Sequence, residues 1–415
     1  MNVLYIHNEY GKPSGEEHAA ERIAALLGER GHVVQWFRRS SVELHRSATG
    51  RVKGFLAGVH NPATAAALDS HLGNLRPDVA LVQNIYPLIS PSIFPVLRFW
   101  RIPVIMRCPN YRLFCPNGLH LAQGKVCERC LGRGREWWCV LQNCENNRLK
   151  SVGYALHNAA ARIRGSILHH VHLFLVQSGF QRDKFIHRGI PADRLEILPG
   201  MVQVAPLPGP APLGDVVAFI GRVSPEKGIR EFLEAARLLP GIPFAVAGDC
   251  VTMPTVQRGA PSNVEWLGFL NEADLRRLYL KARMIVVPSL CYEGFPNVLV
   301  QAMSLRKPVI CSAIGGLPEI VGPGAAGLLS EPGDAEDLAR QIRFLYVRPS
   351  LCRRLGTAGY ERVREEYSRE SCYQRLMKIF EKAARLNGGA VVEPSSRVPP
   401  YASQADLLEV ETHEN

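Results

Sequence analysis

Short apolar runs alternate with helix-like segments along most of the chain. Candidate strands in the first half are 3–7, 33–37, 79–82, 104–106, 173–176 and 195–198. Between the first two lies the segment 16–30, in which apolar residues recur at helical intervals. Strands separated by helical segments indicate parallel βαβ units, because parallel neighbours need a crossover connection.

A proline-rich stretch, 205–214, interrupts this alternation and is predicted to be a stiff linker. The alternation then restarts, with strands at 216–220, 244–247, 264–267 and 284–287 and helices at 229–239 and 272–282. The sequence therefore predicts an α/β protein with two Rossmann-like domains, 1–204 and 215–370, that face a cleft. Ligands of such sheets bind beyond the carboxyl ends of the strands.

The rest of the 415-residue chain completes this outline. A final helix is predicted at 371–386, and the tail 387–415 is predicted to be disordered. No charged segment precedes the first strand, and prolines break the one long uncharged run, so we expect a cytoplasmic protein. The net charge of +11 favours anionic partners, and its even spread argues against a nucleic-acid-binding arm.

Two cations stand on the loop after the predicted strand 216–220. Arg222 and Lys227, which follow Gly221, can reach one anion together, the first as a planar fork of donors and the second as a compact charge. A solvated surface turn is the alternative interpretation. The strand–loop–helix context favours an anion site.

A carboxylate, a glycine and a helix start follow the predicted strand 284–287. Free backbone N–H groups and the helix dipole can hold a phosphate there, while Glu293 can accept hydrogen bonds from sugar hydroxyls. This predicts a site for a nucleotide diphosphate that carries a sugar. The segment reads Glu293, Gly294, Phe295, Pro296, Asn297 and Val298, with Gln301 eight positions after the glutamate.

Both motifs resemble those of retaining glycosyltransferases of family 4, which have the GT-B fold. Residues 221–228 are similar to the family's Gly-Arg…Pro-x-Lys-Gly segment, and the similarity continues to about residue 339. Glu293 and Gln301 are similar to its Glu-x7-Glu signature, with an amide in place of the second carboxylate. The resemblance implies that Arg222 and Lys227 neutralise the donor diphosphate and that Glu293 contacts the donor sugar.

The same resemblance implies the other donor contacts. Residues 295–298 would supply backbone donors, Phe269 would lie beside the nucleotide base, and Gln301 would bind the ribose. A glutamine at the edge of the core is the alternative for Gln301.

The first domain carries two further segments that resemble the family. One is the glycine-containing loop 11–17, and the other is the Asn-Tyr-Arg-x-x-Cys-Pro-Asn-Gly segment at 110–118, which occurs in a subset of these enzymes. Pro109 stands where many members of that subset have a histidine. The resemblance assigns Gly15 to the donor, and Glu16, Asn110, Tyr111, Arg112 and Ser178 to the acceptor side.

Six of the 11 cysteines fall between residues 108 and 144, within a predicted insertion at 108–148. Two pairs of thiolates can complete a tetrahedral Zn²⁺ site, which would stabilise an insertion poor in apolar residues. Reduced thiols are the alternative, a disulfide is disfavoured in a reducing compartment, and a nucleic-acid-binding zinc ribbon is a rival. The candidate ligands of a structural zinc are Cys115, Cys127, Cys130 and Cys144.

Together with the residues of the site, the resemblance implies a retaining glycosyltransferase that moves a sugar from a nucleotide-sugar donor to a hydroxyl of a saccharide or lipid-linked acceptor, in polysaccharide or glycolipid biosynthesis. No catalytic metal and no nucleic-acid partner are expected. The basic and apolar segment 162–170 is a candidate contact with the inner membrane face, or else a half-buried helix. A non-catalytic scaffold or regulator that binds sugar nucleotides is the rival function, motivated by Pro109 and Gln301.

Overall fold

The apolar runs predicted as strands form two six-stranded parallel sheets, one in each half of the chain. The computed structural model describes residues 1–10, 15–44, 50–132, 134–204, 213–251, 253–322 and 324–388. The predicted linker, apart from residues 213 and 214, lies outside these ranges, as do part of the glycine-containing loop (11–14) and the tail from residue 389.

The first domain alternates strands with helices. Its sheet has the order β2-β1-β3-β4-β7-β8, and all neighbours are parallel. The strands are β1 (Asn2–Glu9), β2 (Val33–Ser40), β3 (Val79–Val82), β4 (Val104–Arg107), β5 (Leu121–Ala122), β6 (Lys125–Val126), β7 (Leu173–Val176) and β8 (Leu195–Ile197). The helices are α1 (Gly15–Glu29), α2 (Gly50–Val59), α3 (Pro62–Gly73), α4 (Ile93–Phe99), α5 (Trp138–Leu141), α6 (Arg148–Ile163) and α7 (Gly179–His187).

The second domain repeats the scheme with the order β11-β10-β9-β12-β13-β14, again with parallel neighbours. Its strands are β9 (Val216–Ile220), β10 (Phe244–Ala247), β11 (Val264–Gly268), β12 (Ala282–Val287), β13 (Val309–Ser312) and β14 (Gly327–Ser330). Its helices are α8 (Ile229–Leu238), α9 (Pro254–Arg258), α10 (Glu272–Lys281), α11 (Asn297–Ser304), α12 (Leu317–Val321), α13 (Ala335–Tyr346) and α14 (Pro349–Glu366), and the last helix of the chain is α15 (Arg369–Leu386).

Helices cover both faces of each sheet. In β1, for example, Leu4 and Ile6 join one core cluster of the first domain, while Val3 and Tyr5 join the cluster on the other face. A strand that is buried on both faces has no polar side to alternate with, which explains why the strands read as continuous apolar runs. The carboxyl ends of the strands are left as the edge at which the connecting loops can form a site.

The helix α15 packs on the first domain although the chain reaches it from the second. Ser368 caps it by accepting a hydrogen bond from the backbone N–H of Ser371 at 3.2 Å, which explains why it begins two residues before the predicted start. Leu376 and Phe380 are buried against the first sheet. The segment before α15 also pairs with the segment that leaves the first domain, because the N–H of Val202 donates to the carbonyl of Tyr367 at 3.0 Å.

The insertion between β4 and α6 has little regular structure. It consists of the antiparallel β5–β6 hairpin, the one-turn helix α5 and turns. Phe114 and Cys115 anchor it in the core of the first domain. Among the helices in the described ranges, none has the length and apolar character needed to span a membrane.

His7, near the end of β1, makes the fold sensitive to acid. It is 2% exposed, and neither ring nitrogen has a hydrogen-bond partner in the described part of the chain. Burial, reinforced by Arg38 and Arg107, lowers the pKa of His7 to about 4 from 6.5. Between these two values the unfolded chain binds more protons than the folded one, so stability present above pH 6.5 is lost as the pH falls towards 4.

We therefore expect the His7→Phe variant to lose less stability between pH 7 and pH 4.5 than the parent protein. The difference should be roughly 2 to 3 kcal/mol, since each pKa unit corresponds to about 1.4 kcal/mol. Urea unfolding at both pH values measures it. His18→Phe is the matched control, because His18 is an exposed histidine. Equal losses in the parent and the His7 variant would contradict the expectation.

Candidate active site

Two loops meet at the carboxyl edge of the second sheet. One follows β9 and carries Lys227, and the other follows β12 and carries Glu293; the two strands are parallel neighbours. The Lys227 Nζ atom lies 2.5 Å from Glu293 Oε1. The Ser289 hydroxyl donates to the same carboxylate oxygen at 2.8 Å. Two motifs separated by more than sixty positions thus form one ion pair.

Gly228 allows this close approach. It adopts a φ of +72°, and a Cβ atom at this position would lie 1.8 Å from the carbonyl oxygen of Pro288 in the other loop. A larger residue would therefore push the two loops apart. A backbone hydrogen bond from Leu290 N–H to the carbonyl of Glu226 at 2.9 Å also joins them.

Both members of the ion pair are charged at neutral pH. Burial alone would raise the pKa of Glu293, but Lys227, Ser289 and, more weakly, Arg222 hold it below its usual value. Burial likewise opposes the charge on Lys227, and the Glu293 carboxylate nevertheless raises the pKa of the ammonium. The site therefore presents a fixed positive and a fixed negative charge side by side.

Arg222 faces the open part of the site. Its side chain is 64% exposed and is held by Glu226, whose Oε1 accepts a hydrogen bond from Arg222 NH2 at 2.8 Å. An exposed ion pair of this kind is weak, so the guanidinium can turn to a bound anion at little cost. Gly221, the residue before it, has a φ of +148°, which turns the chain sharply at the end of β9.

The helix α11 begins at Asn297, three residues after the glycine of the second motif. Pro296 precedes its first residue, where the missing N–H of proline is not needed. Its first backbone N–H groups lie at the same edge as Lys227 and lack partners within the helix. Phe295 is buried against Tyr367 with ring centroids 5.1 Å apart, so its side chain anchors a loop that lines the cleft.

A cleft of about 870 Å³ lies in front of these groups and is walled by both domains. Gly294 lies almost in contact with the first domain, because a Cβ atom there would be 2.5 Å from Gln177 Oε1 and 2.9 Å from the carbonyl oxygen of Pro109. The lining includes the predicted residues Gly15, Glu16, Asn110, Arg112, Gly221, Arg222, Lys227, Glu293, Gly294, Phe295, Pro296, Asn297 and Val298.

On the first-domain wall, polar side chains hold one another in place. Asn110 Nδ2 donates to Glu16 Oε1 at 2.6 Å, and the hydroxyl of Tyr10 donates to Glu16 Oε2 at 3.3 Å. The guanidinium carbon of Arg112 lies 4.6 Å from the centre of the Tyr154 ring. These groups offer a carboxylate, an amide and a cation to a molecule in the cleft.

Four predicted site residues lie elsewhere than in the lining of this cleft. Tyr111 is 1% exposed and packs in the core of the first domain. Ser178 caps α7 by accepting from the N–H of Gln181 at 3.2 Å. Phe269 is 87% exposed, and Gln301 accepts a hydrogen bond from the Tyr279 hydroxyl at 3.0 Å, an arrangement in keeping with the core-edge alternative.

Several residues of the site were not predicted from the sequence. Ser289 and Glu226 lie on the same two loops as the charged groups that they hold, each four positions from its partner. Gln177 lies opposite Gly294 at the end of β7. A polar residue one or two positions after a buried strand of a parallel sheet was the available signal for Gln177 and Ser289.

The cysteines of the insertion meet in two pairs, Cys115 with Cys130 and Cys139 with Cys144. In each pair the contact between thiols lowers the pKa of one partner, Cys115 or Cys144, and raises that of the other. Electrostatic interactions also link the pairs. Cys127, the fourth predicted ligand, is in neither pair; it follows the β5–β6 hairpin and bonds through its backbone to His120.

As the described side chains stand, no group of three or more His, Cys, Asp or Glu residues is arranged to hold a metal ion. The structural zinc stays a prediction.

The segment of the second domain that carries both site loops matches a known family model. Residues 212–362 match the family model described as glycosyl transferases group 1. The chain is 33% identical over 173 residues to O-antigen chain mannosyltransferase B of Escherichia coli, a match that covers 39% of this chain and 44% of the relative. It is 29% identical over 188 residues to the alpha-maltose-1-phosphate synthase of Mycolicibacterium smegmatis, covering 41% and 48%. The chain thus spans less than half the length of these curated relatives.

Solved structures match over nearly the whole chain. Sucrose-phosphate synthase of Thermosynechococcus elongatus has a TM-score of 0.66 at 18% identity and covers 91% of this chain and 98% of its own. HepE of Anabaena, solved in complex with UDP, has a TM-score of 0.63 at 17% identity and covers 91% and 99%. The lipopolysaccharide outer core galactosyltransferase WaaB has a TM-score of 0.61 at 15% identity and covers 92% and 100%. The two parallel-sheet domains therefore have the GT-B fold, as the sequence predicts.

Proposed function

We propose that the protein is a retaining glycosyltransferase that moves a sugar from a nucleotide-sugar donor to an acceptor hydroxyl in polysaccharide or glycolipid biosynthesis. The observation that carries the proposal is the contact between Lys227 and Glu293 beside the start of α11. One cleft then offers cations for a diphosphate, backbone N–H groups for its oxygens and a carboxylate for a sugar.

In the proposed mechanism the donor diphosphate binds between Arg222, Lys227 and the first N–H groups of α11. Negative charge grows on the diphosphate as the bond from its oxygen to the sugar C1 breaks. Cations and N–H groups already in place stabilise that charge without reorganisation. They supply the positive charge that a metal ion would otherwise bring, so we expect catalysis without one.

Glu293 orients the sugar. Both of its hydrogen bonds with described groups go to Oε1, which leaves Oε2 to accept from a sugar hydroxyl. We propose that the acceptor oxygen forms its bond to C1 on the face that the diphosphate leaves, and that the acceptor proton passes to the departing phosphate oxygen. This route retains the configuration at C1 and needs no separate protein base.

Relatives suggest which ligands to test first. HepE was solved with UDP and with UDP-glucose, and one relative is named a mannosyltransferase. UDP- and GDP-sugars are therefore the first donors, followed by ADP-sugars. Glu16, Asn110 and Arg112 line the opposite wall and are proposed to hold a saccharide or lipid-linked acceptor.

The proposal is tested by incubating the purified protein with a panel of donors and saccharide acceptors. We expect one donor class to release its nucleoside diphosphate and to give a product whose anomeric configuration, read by NMR, is that of the donor. Inversion at C1 would contradict the retaining mechanism. Donor binding without release across the panel would instead support the rival, a sugar-nucleotide-binding scaffold. Binding itself is detected by thermal shift, because a hundredfold excess over the dissociation constant adds about 2.7 kcal/mol of stability.

We propose a cytoplasmic location with peripheral contact to the inner membrane face. Ile163, at the end of α6, is 74% exposed and is flanked by Arg162 and Arg164. An exposed apolar side chain between cations suits an anionic lipid surface. Co-sedimentation with vesicles that contain phosphatidylglycerol should fall in an Ile163→Ser variant, and unchanged sedimentation would count against the contact.

We also retain structural zinc as a proposal for the insertion, with Cys139 in place of Cys127 among the ligands. The pairing of the thiols Cys115 with Cys130 and Cys139 with Cys144 supports it. Binding requires the two pairs to close on one ion. About one zinc per chain by elemental analysis is expected, and a zinc content near zero in protein purified without chelator would overturn the proposal.

A further inference from the structure

Tyr292, the residue before Glu293, is held from across the cleft. Its hydroxyl donates to Glu128 Oε1 at 2.8 Å, and Glu128 belongs to the cysteine-rich insertion of the first domain. Lys184 of α7 donates to the same carboxylate oxygen, and its Nζ lies 5.4 Å from the centre of the Tyr292 ring. One carboxylate thus binds a group from each domain.

The ring of Tyr292 is embedded as well as bonded. Its centroid lies 4.8 Å from that of Phe180, 5.8 Å from that of His120 and 6.1 Å from that of Tyr111, all residues of the first domain. Tyr292 packs against a core cluster of the first domain and also against a core cluster of the second. The position of Tyr292, and with it the start of the Glu293 side chain's loop, therefore depends on how the two domains are placed relative to each other.

The charges favour this bond. The Glu128 carboxylate forms an ion pair with the ammonium group of Lys184. The phenol of Tyr292 therefore donates to a charged acceptor. Such charge-assisted hydrogen bonds are shorter and stronger than neutral ones.

A second contact between the domains fixes α7, the helix that carries Lys184. Glu319 of α12 accepts hydrogen bonds from the first N–H groups of α7, at 2.8 Å from Gly179 and 3.2 Å from Phe180. A carboxylate at a helix N-terminus is favoured by the helix dipole. Because Glu319 fixes the start of α7, it also positions Phe180 and Lys184, the two α7 residues that contact Tyr292.

We propose that Tyr292 is a positioning residue, and that the Glu128–Tyr292 bond sets Glu293 in place only when the domains are closed. This inference rests on the proposed function of Glu293. It assigns the insertion a role in the transfer step: the insertion supplies the carboxylate that fixes the loop of the sugar-binding acid. The diphosphate site, which consists of Arg222, Lys227 and α11, lies wholly in the second domain and does not depend on the bond.

The Tyr292→Phe variant tests the proposal because it keeps the ring and removes only the hydroxyl. We expect kcat to fall about 10-fold, because the loss of one charge-assisted hydrogen bond lowers the population of the closed arrangement by about that factor. The affinity for the nucleoside diphosphate released in the donor panel should change less than twofold. Glu128→Gln should have the same effect, and the double variant should be no worse than either single one.

Two control variants separate positioning from loss of structure. Tyr373→Phe removes a hydroxyl that lies 3.0 Å from His32 Nε2 on the far side of the first sheet, and Glu234→Gln removes one partner of an exposed pair on α8. Both should leave kcat unchanged. An unchanged kcat in Tyr292→Phe, or additive losses in the double variant, would overturn the proposal.

A readout that needs no turnover keeps this proposal distinct from the proposed function. Hydrogen exchange of residues 289–293 in the ligand-free protein should quicken in Tyr292→Phe and Glu128→Gln, while melting temperatures change little. If no donor is turned over but exchange responds in this way, the transferase proposal fails and the domain contact stands. If exchange stays the same in both variants, the contact does not hold the loop and the inference falls.

Discussion

Replacing Lys227 with methionine is expected to lower kcat/KM for sugar transfer by about 100- to 1,000-fold, the usual loss when one preorganised charge-stabilising donor is removed. Methionine keeps an unbranched stem but takes away the ammonium that lies against Glu293 and faces the proposed diphosphate. Arg222→Met should cost less, about 10- to 150-fold, because an exposed guanidinium loses mainly one charge-assisted bond. Steady-state kinetics with the donor identified by the panel measure both.

The same substitution separates catalysis from folding. Removing Lys227 leaves Ser289 as the remaining hydrogen-bond partner of the Glu293 carboxylate among the described residues. We expect this to cost about 2 kcal/mol of unfolding free energy, less than a fully buried pair would lose. The double variant Lys227→Met/Glu293→Gln should recover most of that stability and none of the activity. Lys281→Met, at the exposed end of α10, is the control and should change neither. A loss of activity below fivefold in Lys227→Met would contradict the assigned role.

The Gly294→Ala variant is expected to lose about 100-fold in kcat with little change in melting temperature. The added methyl group would lie 2.5 Å from Gln177 Oε1 and 2.9 Å from the carbonyl oxygen of Pro109, so the domains would have to stay slightly apart. Misplacing reacting groups by about 1 Å can cost about 100-fold. Each domain folds as before, because these contacts lie between the domains.

Two further variants make the test of Gly294 sharper. Gly241→Ala is the matched control, since a Cβ atom at Gly241 meets nothing within 4 Å. Adding Gln177→Ala to Gly294→Ala removes the nearer obstacle and should restore part of the activity, whereas the backbone of Pro109 still opposes closure. Full activity in Gly294→Ala would show that this contact is not required in the transfer step.

The sequence predicts the sheets, and the edge at which the two charged loops meet, for identifiable reasons. Strands buried on both faces leave continuous apolar runs, and the run 244–247 is the strand β10 with the same bounds. Lys227 and Glu293 could be paired because both follow strands of one parallel sheet, whose carboxyl ends share an edge. A glycine directly after Lys227 and another directly after Glu293 indicated that the backbone comes close to another group at both positions.

Other contacts could not be predicted because they join distant segments that share no pattern. Nothing in the sequence around Glu128 indicates that it meets Tyr292, 164 positions later. The spacing of Cys127 and Cys130 suggested a chelating pair, whereas the thiol contacts in the structure pair Cys130 with Cys115 and Cys139 with Cys144. The hydrogen bond from Tyr279 to Gln301 likewise joins two helices whose sequences share no pattern.

The pairing of Val202 with the segment before α15 ties the two domains together beside the cleft. The backbone hydrogen bond from Val202 to Tyr367 joins the end of the first domain to the segment that leads from α14 to α15. A rotation of one domain against the other about this bond would displace each residue in proportion to its distance from the bond. Phe295, which packs against Tyr367, would therefore move little, and the far walls of the cleft would move most.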